Sequence, residues 1–104
     1  MSKTEVKKII SKYAKALLDK KYSYSKIYLF GSYAKGTSHK WSDIDVAVVT
    51  NKLKRNYEKN RYTLRKVSVD VDFRLEPHGF TEKGFQNNAD PLAYEIRKTG
   101  IRVV

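Results

Sequence analysis

The chain holds 104 residues, with 22 basic and 11 acidic side chains, a formal net charge of +11, and no cysteine. That length suits one domain, 1–104, and not two. The missing cysteines exclude a disulfide framework and a thiolate metal site, and the presence of two histidines argues against zinc.

The positive excess favours an anionic partner: nucleotide, nucleic acid or an acidic protein surface. Lysines spread along the chain also make an ordinary soluble surface, and no tight basic run occurs. No apolar run approaches the ~20 residues of a membrane span, and MSKTEVKKII lacks the apolar core of a signal peptide. A cytoplasmic location is the expectation.

In chain order, residues 4–20 carry Val6, Ile9, Ile10, Tyr13, Ala14, Leu17 and Leu18 at helical spacing, with Thr4 or Ser2 as cap. KIYLFGS reads as a first strand, apolar enough to be buried on both faces. Gly31 stops it, and residues 32–36 make one or two helical turns before Gly36. TSHKWS is a polar loop, and DIDVAVVT a second strand. Residues 53–66 are charged but helical in pattern. KVSVDVDFRLE alternates with period two and reads as a third strand closed by Pro77. Short helices follow at 81–86 and 91–99, the second opened by Asp90 and Pro91, and IRVV ends the chain as a fourth strand. The order predicts an α/β (α+β) fold, a small mixed sheet flanked by helices.

Asp43 and Asp45 share one face of the second strand, roughly 6.5–7 Å apart. Asp70 and Asp72 repeat the arrangement on the expected third strand. Clustered carboxylates repel unless a hard cation such as magnesium neutralises them. Two such ions can activate a hydroxyl and steady a leaving pyrophosphate. The Gly31-Ser32 turn supplies the complement. Glycine allows close backbone approach, the N–H groups that follow form an anion site, Ser32 adds a hydroxyl, and Lys35 and Lys40 are candidate charges. His39 and His78 read as loop residues. Trp41 reads as a residue packed on its own domain, with base stacking as the other possibility. Arg74 can pair with carboxylates or reach phosphate.

Gly31-Ser32, ten residues, then Asp43-Ile44-Asp45-Val46, within IYLFGSYAKGT and SDIDVAVV, resemble the signature of the minimal branch of the DNA polymerase β-like nucleotidyltransferase superfamily. VDFRLEPHGF and PLAYEIRKTGIRV extend the resemblance over nearly the whole chain from residue 26. It implies a polymerase β palm-like fold and magnesium-dependent transfer of a nucleoside monophosphate, AMP from ATP, to a hydroxyl. Gly31 and Ser32 would hold the β- and γ-phosphates, with Lys35 beside them. Asp43 and Asp45 would ligate two magnesium ions. A third carboxylate would act as ligand and general base; position within VDFRLEP favours Asp72 over Asp70. Relatives in this branch often pair, as antitoxin, with a HEPN-type helical ribonuclease toxin, and some transfer AMP onto a tyrosine of that partner. A non-catalytic module binding nucleotide, RNA or a partner is the alternative.

Overall fold

The computed structural model describes all 104 residues. Helix α1 spans Lys3–Asp19, and of the two candidate caps it uses Ser2. The Glu5 N–H donates to Ser2 Oγ at 3.1 Å and the Ser2 N–H donates to Glu5 Oε1 at 3.2 Å, so two orphan amides are satisfied reciprocally. Its apolar stripe buries Val6, Ile10, Tyr13, Ala14 and Leu17. Strand β1 (Lys26–Phe30), helix α2 (Ser32–Lys35) and strand β2 (Ile44–Val49) follow. A 3-10 turn at Asn51–Lys54 leads into α3 (Tyr57–Val71), then β3 (Leu75–Phe80), α4 (Glu82–Phe85), α5 (Pro91–Thr99) and β4 (Ile101–Arg102). Asp90 caps α5 by accepting from the Leu92 and Ala93 N–H groups, with Pro91 in the first turn.

The sheet order is β3-β2-β1-β4, with β1 antiparallel to β2 and β4, and β2 parallel to β3. On one face Ile27, Leu29, Ile44, Val46, Val48 and Leu75 join α1 and the α3 residues Leu64 and Val67 in the main core. Tyr13 ties the two helices together, its hydroxyl donating to the Leu64 carbonyl at 2.9 Å. On the other face Ala47 and Val49 pack with Phe85 of α4 and Ile96 of α5. Since Asp45 lies two residues before Ala47 on that face, α4 and α5 cover the far end of β2 and leave its start open. No helix is long and apolar enough to cross a membrane.

The mixed α+β architecture agrees with expectation, but the third strand does not lie where the alternation in KVSVDVDFRLE places it. Helix α3 runs on through Val71, and β3 starts at Leu75 and contains Pro77. Both periods are written in this stretch. Leu64, Val67 and Ser68, at helical spacing, are buried, whereas Val69 and Phe73 of the alternating set are 47% and 76% exposed. Parallel pairing of β2 and β3 decides the matter, because a parallel connection needs a crossover of a dozen or more residues. The 15-residue α3 supplies about 22 Å of it.

Pro77 is tolerated because β3 is an edge strand. The carbonyls of Arg74 and Phe80 accept from the Ile44 and Thr50 N–H groups. Period two therefore turns the Pro77 nitrogen to the open side, where no ladder donor is required. The Leu75 carbonyl faces the same way and accepts from Arg65 Nη1 at 2.8 Å.

Candidate active site

The open end of the sheet gathers the motif residues. Gly31 follows β1 with φ 75 and ψ −153, a conformation essentially reserved for glycine. A Cβ there would lie 2.4 Å from Asp45 Oδ2, so the Asp45 carboxylate occupies the space that a side chain at 31 would need. Ser32 then opens α2, whose first N–H groups have no intrahelical acceptor. The helix lasts one turn: the Lys35 N–H donates to the Gly31 carbonyl at 3.1 Å, and Gly36 closes it in the left-handed region. The Lys35 ammonium is 2.7 Å from Glu95 Oε1, which holds it toward α5.

Asp45 sits on a central strand, paired with Phe30 of β1 on one side and Glu76 of β3 on the other. Its half-buried carboxylate lies between Gly31 and His78, with Oδ1 3.6 Å from His78 Nε2. The His78 ring stands edge-on to Phe30 at 5.1 Å, so His78 is a strand residue of the site and not a loop residue. Asp43 precedes β2 and is exposed. With Lys40, Trp41, Ser42, Phe73 and Arg74 it lines a cavity of about 370 Å³. Trp41 is 80% exposed and therefore does not pack into its own domain. His39 does lie in the loop, where its Nδ1 accepts the Trp41 N–H at 3.3 Å.

The second Asp-x-Asp pair is absent from the sheet. Asp70 is exposed in the last turn of α3. Asp72 closes that helix and is enclosed by Arg74. Its Oδ1 accepts from the Arg74 N–H at 2.9 Å and from Nε at 3.0 Å, and its Oδ2 accepts from Nη2 at 2.7 Å. Those hydrogen bonds hold the Asp72 carboxyl below the usual carboxylate range. Beside Asp45 stands Glu76, its register partner on a parallel strand about 4.8 Å away, on the same face. Glu76 is half exposed, with Arg65 Nη1 at 3.4 Å. Glu76 is the last residue of the expected strand KVSVDVDFRLE, but the Asp-x-Asp spacing singles out Asp70 and Asp72 and passes over it.

Asp45 and Glu76, in register on one sheet face, and Asp43, just before β2, carry the oxygen donors that a hard divalent cation takes. By donor chemistry they fit magnesium, although no three His, Asp or Glu side chains are drawn together into a ready-made cage.

A family model described as a nucleotidyltransferase domain matches residues 10–100. Among solved structures, a candidate nucleotidyltransferase from Sulfolobus solfataricus shares the fold, with TM-score 0.66 at 19% identity over 96% of this chain and 80% of that one. A toxin–antitoxin structure with AMP-PNP aligns with TM-score 0.65 at 28% identity, covering 90% of this chain and 71% of the other. A mutant of the toxin–antitoxin MntA-HpeT, with two Asp-to-Glu replacements two positions apart, aligns with TM-score 0.61 at 26% identity and the same coverage, 90% and 71%. No curated protein matches the chain significantly.

Proposed function

Since this chain belongs to the nucleotidyltransferase domain family, and is a nucleotidyltransferase, we propose that it moves a nucleoside monophosphate, AMP from ATP, onto a hydroxyl. The observation that carries this reading is the contact of Gly31 with the Asp45 carboxylate, with Glu76 in register on the next strand. A turn suited to phosphate and a row of carboxylates thereby share one open end of the sheet.

In this reading the amides after Gly31 and the Ser32 hydroxyl hold the β- and γ-phosphates. Lys35 joins them only by leaving Glu95. Asp43, Asp45 and Glu76 would hold magnesium, two ions in this reading, which would supply positive charge to the transferring phosphate and the departing pyrophosphate. Glu76 takes the role of third carboxylate and general base that the resemblance gave to Asp72, since Asp72 is engaged by Arg74. The acceptor oxygen bonds to the α-phosphorus, its proton passes to Glu76, the α–β phosphoanhydride bond breaks, and pyrophosphate leaves. The toxin–antitoxin neighbours support assembly with a partner protein, for which the resemblance implies a HEPN-type helical chain.

Incubation with α-labelled ATP and magnesium, with and without the protein encoded beside this one, tests the proposal. Wild type should pass label to an acceptor, and Asp45→Asn should not. A wild type that transfers nothing, and binds ATP no better with magnesium than Asp45→Asn does, would sink the catalytic reading.

A further inference from the structure

Large aromatic rings left in water forgo the stabilisation that burial gives. The two most exposed large hydrophobic side chains of this chain are Trp41, at 80%, and Phe73, at 76%. They are far apart in sequence, yet both line the cavity of about 370 Å³ beside Asp43. Small-molecule sites begin at roughly 300 Å³.

The backbone holds both rings without using the rings themselves. Trp41 rides a closed turn: the Ser42 N–H donates to the His39 carbonyl at 3.0 Å, and the His39 N–H donates to Ser42 Oγ at 2.9 Å. The Lys40 ammonium lies 5.1 Å from the Trp41 ring centroid, which covers one face and leaves the other to solvent. Phe73 sits between Asp72 and Arg74, whose mutual hydrogen bonds close a second turn. The Ile44 N–H donates to the Arg74 carbonyl at 2.8 Å and ties that turn to β2.

Flat apolar faces within a polar rim suit a planar heteroaromatic ligand. Two isolated rings are too small an apolar patch for a protein interface, which takes about 800 Å² from each partner. In the reading above, the phosphates lie at Gly31-Ser32 and the α-phosphate at Asp43 and Asp45. A nucleotide continued past Asp43 brings its base to Trp41 and Phe73. The polar groups of the lining are already committed: Arg74 to Asp72, Ser42 to the His39 N–H, Lys40 to the Trp41 ring, and Asp43 to magnesium in that reading. None is left to read the edge of a base.

We infer that Trp41 and Phe73 form the base site of the nucleotide, which selects purines by stacking area and separates adenine from guanine little. The inference rests on the transfer reading, which is what brings the nucleotide to Asp43.

Trp41 is the sole tryptophan, so its fluorescence reports on this cavity. The intact protein with magnesium is titrated with α,β-methylene analogues of ATP, GTP, CTP and UTP, and with tripolyphosphate, which has no base. The ATP and GTP analogues should quench the emission with affinities within about threefold of each other, the pyrimidine analogues should bind about fivefold more weakly, and tripolyphosphate should bind in calorimetry without quenching. Trp41→Ala and Phe73→Ala should each weaken the ATP analogue about tenfold and leave tripolyphosphate unchanged. Trp41→Phe should stay within about threefold of wild type, as should Tyr62→Ala, which removes a ring that is 65% exposed elsewhere. Equal affinity of wild type for the ATP analogue and tripolyphosphate would overturn the base site and leave the transfer reading standing. So would equal losses of both ligands in Trp41→Ala, or a Trp41→Ala that binds the ATP analogue normally but no longer modifies its acceptor. Pyrimidine analogues that bind as well as purines would overturn the purine selection. Failure of wild type to bind either the ATP analogue or tripolyphosphate would remove the transfer reading and the base site with it.

Discussion

Two short stretches of this chain look alike on paper and behave as opposites. Asp43-Ile44-Asp45-Val46 and Asp70-Val71-Asp72-Phe73 share the same spacing of carboxylates among apolar residues. The first enters a central strand, where residues two apart share a face, and its Asp45 ends between Gly31 and His78. The second straddles the end of α3, where residues two apart diverge by about 200° around the axis. There Asp70 faces solvent, and Asp72 spends its hydrogen-bonding capacity on Arg74. A carboxylate pair thus has chemical meaning only once the backbone period beneath it is known.

The largest effect expected is at Asp45. Asp45→Asn should lower nucleotide transfer on the order of a thousandfold, measured as kcat/KM for labelled ATP, because a charge facing the transferring phosphate is lost. Gly31→Ala comes next. The added Cβ collides with the Asp45 carboxylate and forces a positive φ on alanine, so about a hundredfold loss of transfer should accompany about 1–2 kcal/mol of destabilisation in urea melts.

The sharpest comparison is Glu76→Gln against Asp72→Asn. Glu76→Gln should cost about a hundredfold in kcat. Asp72→Asn should keep kcat within about threefold and lower stability by about 1 kcal/mol, a modest figure because Arg74 is partly solvated. The reverse outcome would make Asp72 the third carboxylate.

The Asp72 contribution should also depend on pH. Folding lowers its pKa below the usual 3.8, so the unfolded chain binds more protons at that position. The stabilisation is complete above the ordinary carboxylate range and fades as pH falls through the folded value. The stability gap between wild type and Asp72→Asn should therefore be flat from about pH 7 to 5 and shrink below about pH 4. Asp70→Asn, the smallest effect, should change stability by less than about 0.5 kcal/mol.

What was legible in the sequence was whatever local chemistry decides. The stripe of α1, the Asp90-Pro91 opening of α5, the arrest of β1 at Gly31 and the strand carrying Asp45 follow from caps, turns and periodicity. The α3–β3 boundary was not legible, because Leu64, Val67 and Ser68 mark a helix while Val67, Val69 and Val71 mark a strand. The choice belongs to the parallel pairing of β2 with β3, a fact about topology that no local window contains. Glu76 falls within the expected strand, but the misplaced period made Asp70 and Asp72 the carboxylates of that face and drew the reading away from it. Pro77 reads as a strand breaker until the strand is known to lie at an edge.

The outer rim of β3 has one more consequence. An unpaired strand edge ordinarily invites a second sheet to extend it and so seeds aggregation. Here the Leu75 carbonyl is already taken by Arg65 and Pro77 presents no donor. Another molecule of this protein meets an interrupted row of hydrogen-bonding groups. The flank of the sheet that stays uncovered is thereby guarded against self-association, and it can remain open in a crowded solution without becoming a template for fibres.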